Sequence, residues 1–291
     1  MNLTTIADLV DSMVQDEGMS QNLLPFTSLY RVTEPQPLTP LVYDPSIYFV
    51  VQGEKEAWLR EQRFVYNEFQ YLVLTVPLPL RCRVFNAQPD KPFLAIRLDI
   101  DLTILAELVN QLPAQSMQAD QSDSGIFVSE SNEALAGSIH RLVSTAQQPE
   151  QAAVLAPMYY REILFHLLQG TQAHLLRNFV TQDRHNNRIA QVVHYIHRHY
   201  NHALKVEELA DIAAMSPSTF HEHFKNVTHL SPLQYVKNIR LHHAKHQIFI
   251  EQLPVNEAAF NVGYESPSQF SREYKRLFGL SPVQHLRQSV I

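Results

Sequence analysis

The sequence predicts an α+β chain: a small N-terminal β-barrel with accessory helices, then an all-α C-terminal domain of two helix-turn-helix motifs joined by a linker helix. Three observations carry this prediction. A pattern of twenty-one residues occurs twice near the C-terminus, short β-like runs punctuated by proline fill the stretch from 23 to 100, and the charge divides unevenly between the two parts.

Taking the elements in order, residues 1–18 repeat apolar side chains at helical spacing (Leu3, Ile6, Leu9, Val10, Met13). The runs TSLYRVT, LVYDPSIYFVVQG, KEAWLREQRFVY, FQYLVLTV, LRCRVFNA and FLAIRLDID follow, and six or more such runs at close spacing predict a small barrel or sandwich. Residues 102–111 turn helical, the polar stretch 113–125 reads as a loop, and helices are expected at 130–147, 151–169 and 174–182. The polar junction TQDRHNNR divides the chain into 1–183 and 184–291, with Asn187 as the expected cap of a helix over 188–200 that buries Ile189, Val192, Val193 and Ile196.

The repeat defines the second part. Residues 216–236 read SPSTFHEHFKNVTHLSPLQYV and 266–286 read SPSQFSREYKRLFGLSPVQHL, so nine positions are identical in register and two copies of one unit are implied. Each copy opens with a serine N-cap (Ser216, Ser266) and a proline at the first helical position, where the missing N–H costs nothing. Phe220 and Phe224, and Phe270, Tyr274 and Leu277, fall on one helical face and with Leu209 are expected core. Gly279 ends the second helix, whereas His229 stands at the matching place in the first and predicts a looser end. Before each copy lies a shorter amphipathic segment, VEELADIAAM and VNEAAFNVGY, with small residues (Ala210, Ala213, Ala258, Ala259) where two helices must approach. That is helix, turn, helix, twice, a motif whose second helix lies in the DNA major groove. The connecting helix 232–250, capped by Ser231, is about 27 Å long at 1.5 Å per residue, close to the ~34 Å of one DNA turn. A rigid spacer of that length lets two recognition helices enter successive major grooves.

Composition limits the alternatives. With 291 residues, 45% hydrophobic and 18% charged, the chain is globular and long enough for two domains. The single cysteine, Cys82, excludes an internal disulfide; no apolar run approaches a membrane span and the N-terminus does not read as a signal peptide, so a cytoplasmic protein without membrane partners is expected. The net charge of −6 comes from 11 basic against 21 acidic residues over 1–183 and 12 against 8 over 184–291, so the second part is net positive, and it also carries twelve of the fifteen histidines. That is a modest electrostatic footprint, predicting DNA affinity that falls with salt. No nucleophile elbow, phosphate-cradling glycine loop or paired-carboxylate motif occurs, and only seven glycines exist. There is no histidine before His140, which excludes a three-histidine metal site in the barrel and leaves an all-carboxylate one open. No enzyme, catalytic residue, metal or cofactor is predicted.

The run AAFNVGYESPSQFSREYKRLFGLSP, residues 258–282, closely resembles the C-terminal signature of AraC-type (AraC/XylS) bacterial transcription regulators, and LADIAAMSPSTFHEHFK, residues 209–225, resembles their first helix-turn-helix. YYREILFHLLQG, residues 159–170, resembles the end of the cupin-like sensor domain carried by one subgroup. The resemblance implies a barrel over 1–183 that senses a compound or mediates dimerisation, fused to a sequence-specific reader over 184–291. Implied partners are double-stranded DNA, a small-molecule effector, RNA polymerase and a second copy of the chain. The alternative class is a protein-interaction or architectural module without specific DNA readout.

Within the second recognition helix, Arg272 is the expected base contact, because arginine bidentate to guanine is the commonest specific pairing; a phosphate contact or a salt bridge to a nearby glutamate is the alternative. Ser268 and Ser271 share its face. Lys275 recurs as Lys225, which favours phosphate contact for both. The repeat maps Ser218, His221 and Glu222 onto Ser268, Ser271 and Arg272; a glutamate accepts from cytosine but is repelled by phosphate. For the barrel, Tyr48, Trp58, Arg81 and Arg97 are candidate effector-binding residues among aromatics (Tyr30, Tyr43, Phe49, Phe64) that equally suit a core. Cys82 reads as a buried inert thiol, since strand alternation turns Arg81 and Arg83 to the opposite face. The histidines at 194, 197, 199 and 202 read as a solvated face rather than a metal site. The apolar helix 158–168 is a dimer candidate, with burial against its own barrel the equal alternative.

Overall fold

A computed structural model of the chain describes residues 3–113, 123–181 and 185–289. Helix α1 (Leu3–Met13) precedes the strands β1 (Gly18–Leu24), β2 (Thr27–Val32), β3 (Thr39–Tyr43), β4 (Ser46–Gln52), β5 (Glu54–Leu59), β6 (Gln62–Asn67), β7 (Gln70–Leu74), β8 (Leu78–Phe85) and β9 (Phe93–Asp99). Helix α2 (Leu102–Gln111), strand β10 (Ile126–Glu130), helix α3 (Glu133–Ser144), a 3-10 turn (Thr145–Gln147) and helices α4 (Pro149–Leu167) and α5 (Ala173–Val180) complete the first part. The strands make two antiparallel sheets, one of order β1-β2-β9-β4-β7-β10 and one of order β3-β8-β5-β6. Each expected run contains strand. Two of them fold double: Pro45 separates β3 from β4, which join different sheets, and Arg60 at φ 57° turns β5 into β6. β10 is an addition to the expectation; it pairs with β7 directly after the segment that includes residues 114–122, outside the described residues.

Alternation gives the large sheet two buried faces. Ile47, Phe49 and Val51 of β4 and Leu94, Ile96 and Leu98 of β9 pack with residues of α1, α3 and α4. Tyr48, Val50, Phe93 and Ala95 turn the other way, against Ala57, Leu59, Leu80, Cys82 and Val84 of the small sheet. Burial on both faces is why these runs are continuously apolar, each fully buried large side chain contributing about 1.5–3 kcal/mol. Helix α2 starts where Asp101 accepts from the N–H groups of Thr103 and Ile104, and α3 where Asn132 accepts from Leu135.

The second part is all helix: α6 (His185–His199), α7 (Val206–Ile212), α8 (Pro217–Thr228), α9 (Pro232–Phe249), α10 (Val255–Asn261), α11 (Pro267–Phe278) and α12 (Pro282–Ser289). Ser216, Ser231 and Ser266 cap α8, α9 and α11 by accepting from Thr219, Gln234 and Gln269, interactions worth ~1 kcal/mol each. Phe220, Phe224, Leu209, Phe270 and Tyr274 are all buried. Two expectations need correction. Asn187 is not the cap of α6, which begins at His185; its Nδ2 donates instead to Phe179 O at the end of α5. His229 does not loosen α8, because it adopts the left-handed conformation (φ 58°) and its N–H reaches Lys225 O at 2.8 Å, matching Gly279 N–H to Lys275 O at 2.8 Å. The expected boundary at 183/184 falls within residues 182–184, outside the described residues.

The two parts share one hydrophobic cluster. Val76, Leu78 and Ile126 of the barrel join Val227, Leu230 and Tyr235 of the helical part. Gly125 N–H donates to Val227 O at 2.9 Å, and a Cβ on Gly125 would lie 2.7 Å from that oxygen and 2.8 Å from Val76. Tyr235 O–H donates to Pro77 O at 2.6 Å, and Ser124 Oγ lies 3.0 Å from His229 Nε2.

Candidate nucleic-acid interface and barrel interior

On α8 the buried positions Phe220, Phe224 and Val227 turn Ser218, His221, Glu222 and Lys225 outward, and all four are exposed. On α11, Phe270 and Tyr274 are buried while Ser268, Arg272 and Lys275 are exposed and Ser271 is half-buried. The eight expected DNA-facing residues therefore occupy the free faces of the two second helices. The salt-bridge alternative for Arg272 has no support: Glu273 is taken by Lys237 Nζ at 2.8 Å, by Tyr264 O–H at 2.7 Å and by Gln269. Those three donors hold the Glu273 carboxyl below its ordinary value although burial pushes it up. The ion pair also fixes α11 to α9.

Helix α9, at about 1.5 Å per residue over 18 residues, spans roughly 27 Å between the two units. Its Arg240 was not foreseen as special. The guanidinium donates to Tyr200 O at 2.7 Å, Gly263 O at 2.9 Å and His202 O at 2.8 Å, tying the end of α6 to the turn of the second motif. That turn needs glycine: Gly263 has φ +88°, and a Cβ there would sit 2.7 Å from Asn201 O. The sequence signal was available, as Gly263 is the only glycine between two helices of the second motif.

The histidine face divides. His194 and His202 are exposed, but His197 is largely enclosed and its Nε2 lies 2.8 Å from Tyr235 Oη. Because that hydroxyl donates to Pro77 O, Nε2 is the donor to Tyr235; burial, with His243 and His194 adding to it, pulls His197 down to about 4 and so favours the neutral ring. The solvated reading is thus corrected for His197. Among the described residues no group of three or more histidine, cysteine or carboxylate side chains is placed to hold a metal.

The four barrel candidates do not converge. Tyr48 and Arg97 are directly paired on the inner face of the large sheet, where Arg97 binds Asp99 at 2.7 Å. Trp58 and Arg81 are also directly paired, but on the outer face of the small sheet, because Ala57 and Cys82 beside them point inward. As lining of the interior, Trp58 and Arg81 are corrected. Alternation places Cys82 inside, and burial pushes its thiol up. The same alternation puts Lys55 inside, 4% exposed, a position the sequence reading passed over although KEAWL already aligns Lys55 with Ala57 and Leu59.

Two helix-turn-helix units on a rigid connecting helix, carried by a double-sheet domain, define a class of transcription regulator. The profile of the AraC-type transcriptional regulator N-terminus matches residues 24–175 and that of a helix-turn-helix domain matches residues 209–288. The chain belongs to the AraC-type transcriptional regulators, and that family consists of regulators rather than enzymes. It is 30% identical over 105 residues to the HTH-type transcriptional activator RhaS of Yersinia pestis, a match spanning 36% of this chain and 36% of that relative. The apo form of ToxT from Vibrio cholerae shares the fold, with a TM-score of 0.58 at 11% identity over 93% of this chain and 98% of that one. ToxT with an unsaturated fatty acid bound matches with a TM-score of 0.57 at 11% identity over 89% of this chain and 94% of that one. No helix among the described residues is long and apolar enough to cross a membrane.

Proposed function

We propose that residues 184–291 read a specific DNA site through both motifs, with α8 and α11 in successive major grooves, while residues 1–183 sense a small molecule and pair two copies of the chain in the cytoplasm. The single observation that carries the reading is the exposure of Ser218, His221, Glu222, Lys225, Ser268, Arg272 and Lys275 on two second helices held by one continuous helix. In this reading Arg272 contacts a base, Lys225 and Lys275 contact phosphates, and Glu222 selects a cytosine in the first half-site. Tyr48 stands for the barrel interior as the effector position, supported by its inward orientation, and Arg97 borders it. RNA polymerase is the further partner of the DNA-bound form, and no catalytic step is assigned to either part.

Fluorescence anisotropy on duplex from the protein's own upstream region tests the DNA reading. Arg272→Ala is expected to lose roughly 1–3 kcal/mol on the specific site and much less on a scrambled duplex. Equal weakening on both duplexes makes Arg272 a phosphate contact.

Pairing is assigned to the outer face of α4. Tyr160, Ile163, Leu164 and Leu167 are buried against the protein's own core, yet Val154, Met158 and Phe165 stay exposed at 66%, 61% and 38%. Both alternatives for this helix are thereby used, one face for each.

A further inference from the structure

The barrel encloses a lysine without a counter-charge. Nζ of Lys55 lies over ring faces, those of Tyr30 at 4.8 Å, Tyr48 at 5.2 Å, Tyr43 at 5.4 Å and Phe93 at 6.0 Å, with the Cys82 thiol also nearby. Among the described residues no hydrogen bond or ion pair engages it. Its direct cross-strand partner is Tyr66, wholly buried, whose hydroxyl also lacks a partner. Directly opposed residues of an antiparallel pair project from the same face, so both groups point inward. The other polar groups nearby are occupied. Tyr43 bonds the Cys82 thiol, Asp99 is held by Arg97, and Glu56, one residue along, turns outward to Arg63 and Arg83.

An ammonium and a phenol that share one inner face without a carboxylate or carbonyl partner leave the polar group set there incomplete. Ring faces compensate an ammonium only in part, and a buried cation without an anion is costly. Burial accordingly pulls the Lys55 ammonium below its ordinary value. A surface cleft of about 550 Å³ has Gly53, Glu54 and Phe93 in its wall, and Phe93 is also one of the rings around Lys55.

We infer that the barrel interior binds a small organic carboxylate, its oxygens accepting from Lys55 Nζ and Tyr66 Oη and its apolar body lying among the tyrosine and phenylalanine rings. This deepens the reading of the first part as an effector domain and rests on it. Ligand entry restores the missing acceptor and favours the charged form of Lys55, so carboxylate affinity falls as pH rises through the Lys55 titration.

Calorimetric titration of the full chain with hexanoate, octanoate and phenylacetate, each beside its neutral amide, tests the inference. At least one acid is expected to bind about tenfold or more tightly than its amide, with the stated pH dependence. Lys55→Met should abolish both the preference and the pH dependence while melting at or above the wild-type temperature, since it removes only a buried charge. Tyr66→Phe should weaken the acid a few-fold and leave the pH dependence. Amides binding as well as acids, no acid binding at all, or a preference that survives Lys55→Met would each overturn it. Anisotropy on DNA with the tightest acid separates the two ideas. An acid that binds without changing DNA affinity keeps the carboxylate site and removes its effector role; a DNA response to a neutral amide that competes with no acid does the reverse.

Discussion

Single residues set the geometry of the reading head. Gly263 and Gly279 both adopt left-handed conformations, at φ +88° and +83°, but a Cβ meets Asn201 O at 2.7 Å in the first case and nothing within 4 Å in the second. Gly279→Ala should therefore cost only the left-handed penalty of about 1–2 kcal/mol, and Gly263→Ala distinctly more. Urea melts of the two variants check this; equal losses would mean that the Arg240 clamp yields freely. The buried histidines make a pH prediction. Burial lowers His197 to about 4 and His242 to about 3, against 6.5 when unfolded. A folded-state value below the unfolded one means their stabilising share is whole above pH 6.5 and is lost as pH falls toward 4 and then 3. Thermal melts across that window should fall more steeply for the wild type than for His197→Gln; parallel curves would contradict it.

At the scale of elements, legibility followed periodicity. The duplicated Ser-Pro caps and phenylalanine spacing fixed α8 and α11, and with them the exposed faces of the candidate DNA interface. Helices α2 and α9 matched their expected ranges because Asp101 and Ser231 cap them locally. Strand β10 could not be read, since IFVSE is five residues long and owes its conformation to pairing with β7. The start of α6 was misplaced because Asn187 satisfies a carbonyl of another helix, a tertiary contact. Trp58 and Arg81 failed as barrel lining for a simpler reason: the two-residue alternation that placed Cys82 inside was not carried across to them. Helix α4 carries its own prediction. Val154→Glu with Met158→Glu should convert a dimer to a monomer in sedimentation while leaving the melting temperature near that of the wild type, because both positions are exposed. A dimer that persists would place the pairing surface elsewhere.

Across the whole molecule the two parts meet through few but specific groups. Gly125 lies so close to Val227 that Gly125→Ala must push the barrel from α8, at a cost of about 1–3 kcal/mol. Tyr235 joins the relay from His197 Nε2 to Pro77 O, which ties α6 and α9 to the start of β8. Such a joint is where a ligand in the barrel can alter the DNA-binding part, provided it favours one arrangement over the other. The joint was illegible in the sequence: neither Gly125 nor Pro77 belongs to a periodic pattern, and their partners lie far along the chain.

The central claim is that α9 holds α8 and α11 at a fixed separation, so that both read DNA from one face. Its most direct test is the affinity for a selected site after inserting about five base pairs, half a helical turn, between the two half-sites. A rigid α9 predicts binding that collapses to the level of a scrambled duplex, with recovery blocked at a full-turn insertion because the 18-residue helix cannot lengthen. Undiminished binding at the half-turn insertion would show that only one recognition helix reads the site.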